Sequence, residues 1–302
     1  MTTTDHTTTS PAAPSDAKRR RQTRLGAGNR GIAVGSAILL GIVVLGIVAP
    51  SIVGHSGSDL SGTPLSAPSA DHPFGTDTLG RDVFVRTFEA ARTDYSIALV
   101  GVVVAVIIGS VLGTLVTITR HEFWGRALMR ITDGLISVPF NLLILLIVIG
   151  VGVDKSLPGL PPGSLGVVLA VWAVGWSIYA RLARAEAKTI VGTDYITAAK
   201  MMGYSRIRIG VRHVLPSVAQ TTGTYAVADT IMIIGLLAGL PFLGAGIVPP
   251  TPEWGVMMFE GRGVIEYAWW CVTFPAAALV LSAIAISLVA DGLIDKTTRR
   301  VI

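Results

Sequence analysis

The chain has 302 residues, 51% hydrophobic and 14% charged, a balance that excludes an ordinary soluble globule and points to burial in lipid. A formal net charge of +5 does not signal nucleic acid, because the basic residues fall in short clusters between long apolar runs and form no continuous stripe. The single cysteine, Cys271, excludes an internal disulfide and a cysteine cluster for zinc or iron–sulfur, and its apolar surroundings read as those of a buried filler.

Residues 1–30 hold Thr, Ser, Pro and Ala with little from which to build a core, and predict a disordered tail carrying Lys18, Arg19, Arg20, Arg21 and Arg24. Six apolar segments follow, at 31–53, 95–118, 134–153, 164–180, 223–247 and 268–290. Each comes near the roughly 20 residues that carry a helix across about 30 Å of hydrocarbon. The first is too long for the apolar part of a signal peptide and reads as an uncleaved anchor. The predicted class is all-α, a polytopic membrane protein of six transmembrane helices. An elbow at 54–94 precedes a five-helix core over 95–296, and a short tail occupies 297–302.

Lys and Arg are retained on the cytoplasmic side of short connections. With both termini inside, nineteen of the 24 such residues lie in cytoplasmic segments, and only Arg81, Arg86, Arg92, Lys155 and Arg262 lie outside. This predicts a multi-pass cell-membrane protein with cytoplasmic N- and C-termini. Trp254, Trp269 and Trp270 then fall near the outer interface, where an amphipathic indole is favoured.

In the elbow, Pro73 and Gly75 favour a turn, and Asp82 with Arg86 has the i,i+4 spacing of a helical ion pair; a structural brace and a substrate contact are both open. The cytoplasmic connection 181–215 is helix-forming at both ends and broken at Val191-Gly192-Thr193-Asp194. Thr193 or Asp194 can cap a second, short helix in which Tyr195, Ala198, Ala199 and Met202 recur at helical spacing, and Gly203 ends it. Ala198 and Ala199 predict a small face that another protein's groove can approach closely.

The run Ala198-Ala199, Gly203, Leu215-Pro216 resembles the EAA loop of ATP-binding-cassette importer permeases, the segment that docks on the ATPase subunit. Thr197 stands where that pattern has Glu, and His213 where it has an apolar residue. Residues 72–86, HPFGTDTLGRDVFVR, are similar to the segment after the first span in C-type permeases of dipeptide and oligopeptide importers. Residues 242–255, FLGAGIVPPTPEWG, and Ala290-Asp291-Gly292-Leu293 are similar to that family's connection between the fifth and sixth helices and its C-terminal signature.

The resemblance covers residues 31–296 and implies a type I ABC importer permease fold. It implies a translocation pore completed by a homologous B-type permease, with an extracytoplasmic substrate-binding protein delivering peptide. ATPase subunits holding ATP and Mg would dock on Asp194, Tyr195, Thr197, Ala198, Ala199, Lys200, Met202, Gly203, Leu215 and Pro216. No GxxxxGK[ST] segment occurs, so the chain has no P-loop of that form; it reads as a transport subunit, with no catalytic group, cofactor or metal of its own expected. Similar permeases handle nickel complexes, haem or glutathione, and these cargoes stay open beside dipeptides and longer peptides.

The outer connection 248–267 starts with Pro249, Pro250 and Pro252. Trp254, Met257, Met258 and Glu260 read either as contacts to the receptor or pore mouth, or as packing against the chain's own helix ends. Asp229 is the one acid within the six spans. A carboxylate at a span's centre costs about 2.5–3.5 kcal/mol, so it turns to water or protein; it lines the translocation path or bonds a neighbouring helix. Gly235, Gly239 and Pro241 suit a pore-lining helix that changes its packing, or tight static packing. A secondary transporter would need inverted repeats and a coupling-ion site, and an intramembrane enzyme would need a metal pair or Ser/Lys dyad; the spans display neither pattern.

Overall fold

The computed structural model describes residues 14–119 and 122–298, and among these there is no β-strand. Five helices are long and apolar enough to cross a bilayer: α1 (Pro14–Val53, apolar from Gly28), α2 (Val83–Ile118), α5 (Ser164–Val191), α8 (Leu215–Gly239) and α10 (Trp270–Thr298). α3 (Glu122–Ser137) and α4 (Phe140–Val151) are together long and apolar enough for a sixth crossing, but they bend by 87° at the break between them, the shape of a broken span or a re-entrant loop. The single helix expected over 134–153 is therefore corrected to parts of two helices with a sharp bend between them. Pro139 brings no N–H to a helical ladder and biases Val138 away from the α region, so the helix stops there and restarts at Phe140. With 12 residues, α4 is about 18 Å long and too short to span alone.

Several boundaries also move. α1 begins at Pro14 and so takes in residues 14–30 of the expected tail, while residues 1–13 lie outside the described residues. In the expected C-terminal tail, 297 and 298 continue α10 and 299–302 lie outside the described residues. α2 starts twelve residues before the expected 95, because Asp82 caps it by accepting bonds from the amides of Phe84 (2.8 Å) and Val85 (3.1 Å). α8 starts at Leu215 and ends at Gly239, and a 3-10 turn over Leu240–Leu243 follows; residues 244–247, expected in the span, form a turn with Gly244 at φ 75° and Gly246 at φ 100°.

The bundle is built around α2 and α5, which pack along much of their length. Gly101, Ala105, Gly109 and Gly113 put a small residue at every fourth position of α2, the spacing that brings membrane helices into backbone contact. A Cβ at Gly109 would lie 2.5 Å from the Trp176 carbonyl oxygen, so alanine is excluded there without backbone movement. Side-chain bonds fix the register: Trp172 Nε1 donates to the Val100 carbonyl (3.1 Å), Ser110 Oγ to Thr222 Oγ1 (2.9 Å), and Tyr95 shares a hydrogen bond with Ser282 (2.6 Å). Such bonds contribute about 0.6 kcal/mol each within a bilayer. α9 (Trp254–Gly261) closes one end of the bundle, and the short helices α6 (Asp194–Met201) and α7 (Arg206–Ile209) project at the other.

Candidate functional site

α6 is a self-contained turn unit. Thr193 occupies the N-cap position, but its hydroxyl donates backwards to the Ile190 carbonyl (2.8 Å), and Asp194 instead places a carboxylate in the first turn, where the helix dipole favours it. Gly203, at φ 79°, donates to the Lys200 carbonyl (3.0 Å), and the Tyr204 amide donates to the Ala199 carbonyl (3.2 Å). This is a Schellman closure, for which only a residue tolerant of positive φ serves.

The face that α6 presents differs from the expected one. Ile196 and Ala199 turn inward, packed with Ala183 and Ala187 of α5 and with Ile209, Val214 and Val218. Ala199 is thus corrected from a docking residue to an anchor, because it is buried against the chain's own helices. Outward stand Tyr195, Ala198, Met202 and Met201, the last 85% exposed, with Ile207 beside them. Asp194, Thr197, Lys200, Gly203 and Pro216 are also exposed, and Leu215 is half-buried at the start of α8. Met201 and Ile207 were not singled out from the sequence, since the phase of an eight-residue helix depends on which residues its anchor claims.

The two departures from the EAA pattern have structural readings. Thr197 bonds only the Thr193 carbonyl within its own helix (3.3 Å). His213 Nδ1 bonds the Tyr195 hydroxyl (2.6 Å), which ties α6 to the π-helical turn Gly210–Val214 leading into α8. Beside this joint, Thr117, Thr119, Lys200, Tyr204 and Arg206 border a cavity of ≈ 360 Å³.

At the opposite end, the residues expected to meet a receptor are mostly interior. Trp254 is 0% exposed; its Nε1 donates to the Thr87 carbonyl (2.8 Å) and its ring meets Tyr95 edge-on. Met257 is buried and Met258 half-buried. Trp254 and Met257 are therefore corrected from surface contacts to core. Glu260 accepts from Arg81 (2.8 Å) and Arg86 (3.2 Å), while Asp77 pairs with Arg81 (2.6 Å) and stands 3.6 Å from Arg86. The expected Asp82–Arg86 pair does not form, since Asp82 turns to cap α2 and to bond His72 (2.7 Å). Of the three tryptophans placed at the outer interface, only Trp269 is exposed; Trp270 is buried, with Nε1 donating to the Thr76 carbonyl (3.0 Å). Glu253 caps α9 through the Gly255 and Val256 amides (2.7 Å each). Burial pushes its carboxyl up to about 7, against those two amides, which favour the charged form.

Along α8 the third surface appears. Asp229 accepts a hydrogen bond from the Tyr179 hydroxyl of α5 (2.7 Å), and it lies about four turns into α8, which starts at Leu215. Beside it Tyr225, Met232, Gly235, Gly239 and Phe242 form an exposed stripe at helical spacing. A Cβ added at Gly235 or Gly239 would touch nothing within 4 Å, so these glycines serve no packing inside the chain. Pro241 is buried in the 3-10 turn and borders a separate apolar cavity of ≈ 220 Å³ with Val153, Gly244, Pro249, Val256 and Phe259.

A helical bundle with a braced cap and a projecting anchored helix is compatible with more than one kind of transporter. The sequence profile of the family described as binding-protein-dependent transport system inner membrane component matches residues 101–302. The chain belongs to that family. The permease is 37% identical over 221 residues to the di/tripeptide transport system permease protein DppC of Pseudomonas aeruginosa, covering 73% of this chain and 70% of that one. It is 34% identical over 225 residues to the probable D,D-dipeptide transport system permease protein DdpC of Escherichia coli, covering 74% and 71%. It is 35% identical over 225 residues to the glutathione transport system permease protein GsiD of Escherichia coli, covering 74% and 70%. The permease accordingly has the type I ABC permease fold and is a multi-pass component of the inner membrane.

Proposed function

We propose that this permease forms half of the translocation pore of an ATP-driven peptide importer and takes its driving force through α6 from a partner ATPase that binds ATP and Mg. The observation that carries the reading is the two-sided character of α6. One side is locked to α5 and α8 through Ile196 and Ala199, while Tyr195, Met201 and Met202 are left open. A push on the open side moves α5 and α8 as one body, which is how a docked helix converts ATPase closure into rigid-body motion. α8 carries the stripe from Tyr225 to Phe242, and a homologous B-type permease facing it would close the pore, with Asp229, held by Tyr179, supplying negative charge beside the path.

In this arrangement the α6 end is cytoplasmic together with both termini, in keeping with the excess of Lys and Arg there, and an extracytoplasmic substrate-binding protein meets the α9 end. The names of DppC and DdpC support di- and tripeptide cargo; that of GsiD supports glutathione, itself a modified tripeptide, as the second reading. The test is uptake of labelled dipeptide into proteoliposomes holding both permeases and the ATPase, with receptor and ATP supplied. Uptake that requires every component is expected. Cargo movement by this chain alone, or a system that takes glutathione and ignores dipeptides, would contradict the respective part of the proposal.

A further inference from the structure

Between the end of α1 and the start of α2, three metal-ligating side chains converge that the transport reading does not use. His55 lies two residues past α1, His72 sits in the elbow, and Asp82 caps α2; one ligand atom from each lies within 4.8 Å of the other two. His72 Nδ1 is 2.7 Å from Asp82 Oδ2, and these side chains are 15% and 0% exposed. His55 Nδ1 is buried and has no hydrogen-bond partner, and the two imidazole centroids are 6.1 Å apart. A buried imidazole nitrogen left without a partner beside a second imidazole and a carboxylate lacks something to bind.

The surroundings hold these groups in place. The Phe84 and Val85 amides bond Asp82 Oδ1, which aims Oδ2 at His72. The His72 carbonyl accepts from the amides of Ser69 and Gly75 (2.9 Å each), and the His72 amide bonds Ser69 Oγ (3.2 Å), so the histidine is set by a closed turn. Outer hydrogen bonds of this kind orient ligands and raise metal affinity.

We propose that His55, His72 and Asp82 bind a divalent transition-metal ion of the zinc class, which staples the end of α1 and the elbow to the first turn of α2. Two imidazoles and one carboxylate suit zinc, with solvent as the fourth ligand. Bonds of about 2.0–2.2 Å set tetrahedral ligand atoms roughly 3.4 Å apart. Loading therefore opens the His72–Asp82 contact by less than an ångström and draws His55 inward, a movement within reach of side-chain rotation. The site stands apart from the cavities and helix faces assigned to transport, and the proposal does not depend on the cargo.

The test uses the assembled transport complex, purified without a histidine tag and stripped with chelator. Titration with zinc against a chromogenic chelator should give one site per copy of this chain, and cobalt should give the visible absorption of a tetrahedral ion. His55→Ala, which removes no hydrogen bond within the chain, should weaken zinc at least tenfold while complex yield is unchanged. His72→Ala should do the same. Limited proteolysis within 54–82 should be slowed by zinc in the natural chain and not in His55→Ala. No zinc retained, or zinc retained equally by both variants, would overturn the assignment.

Discussion

The two ends of this permease hold similar residue types and use them in opposite ways. At the α9 end, Trp254 and Met257 sit among acids in a long connection, yet they are drawn inside and covered by a network in which Asp77 and Glu260 bond Arg81 and Arg86. At the α6 end, Tyr195, Met201 and Met202 also sit among charges, and they stay outside. The difference lies in what anchors each helix. α9 caps the bundle broadside and has partners on several helices; α6 attaches through Ile196, Ala199 and the Tyr195–His213 hydrogen bond, so its remaining apolar surface is left for another molecule. An apolar residue in a loop thus marks a partner only when the chain's own anchors do not claim it.

The comparison breaks most readily at the α9 end. Trp254→Ala should cost about 3–5 kcal/mol by leaving a cavity, and Glu260→Ala less, because Asp77 still pairs with Arg81 and stands 3.6 Å from Arg86. Both should lower membrane abundance, and normal abundance on immunoblots of either variant would show that the cap is not a core. At the α6 end, Met201→Asp should leave abundance within a factor of two, because an exposed change alters stability by about 0.5 kcal/mol or less. It should reduce ATPase copurification at least tenfold; unchanged recovery of the ATPase would remove the docking face.

Smaller effects sharpen the middle of the molecule. Asp229→Asn keeps an acceptor for the Tyr179 hydroxyl but removes the charge, and peptide uptake at matched abundance should fall several-fold. Unaltered uptake would reduce Asp229 to a helix tie. The smallest expected effect is a pH dependence from Glu253. Its carboxyl is raised in the folded state, so its contribution is greatest below the ordinary glutamate range near pH 4.5 and is lost as pH rises through about 7. Glu253→Gln should flatten thermal stability over that window; an identical pH profile for the variant would exclude the residue as its source.

Much of this was legible in the sequence. Hydropathy located the five long apolar helices and the apolar part of the bent pair, Gly203 marked the end of α6, and the motifs at 72–86, 198–216 and 242–255 identified the family before any geometry. What stayed hidden was decided by tertiary contacts. Arg86, Glu89 and Asp94 masked the first three turns of α2 because charge lowers hydropathy even where side chains are buried. Val138-Pro139 breaks the third apolar segment, yet its apolar neighbours read as one run. Ala198 and Ala199 look equivalent in sequence, and only the contact with Ala183 and Ala187 turns one of them inward. The His55, His72 and Asp82 group is scattered over 28 positions, a spacing that matches no short metal motif.

The central claim is that the outward face of α6 meets a nucleotide-hydrolysing partner on the cytoplasmic side. Met201→Cys tests it directly, since the only natural cysteine, Cys271, is buried. In inside-out vesicles holding the full complex, this cysteine should cross-link to the ATPase subunit, and excess free ATPase should not be needed. Labelling of the same cysteine by a membrane-impermeant maleimide from the outside of intact cells, with no cross-link to the ATPase, would contradict the account.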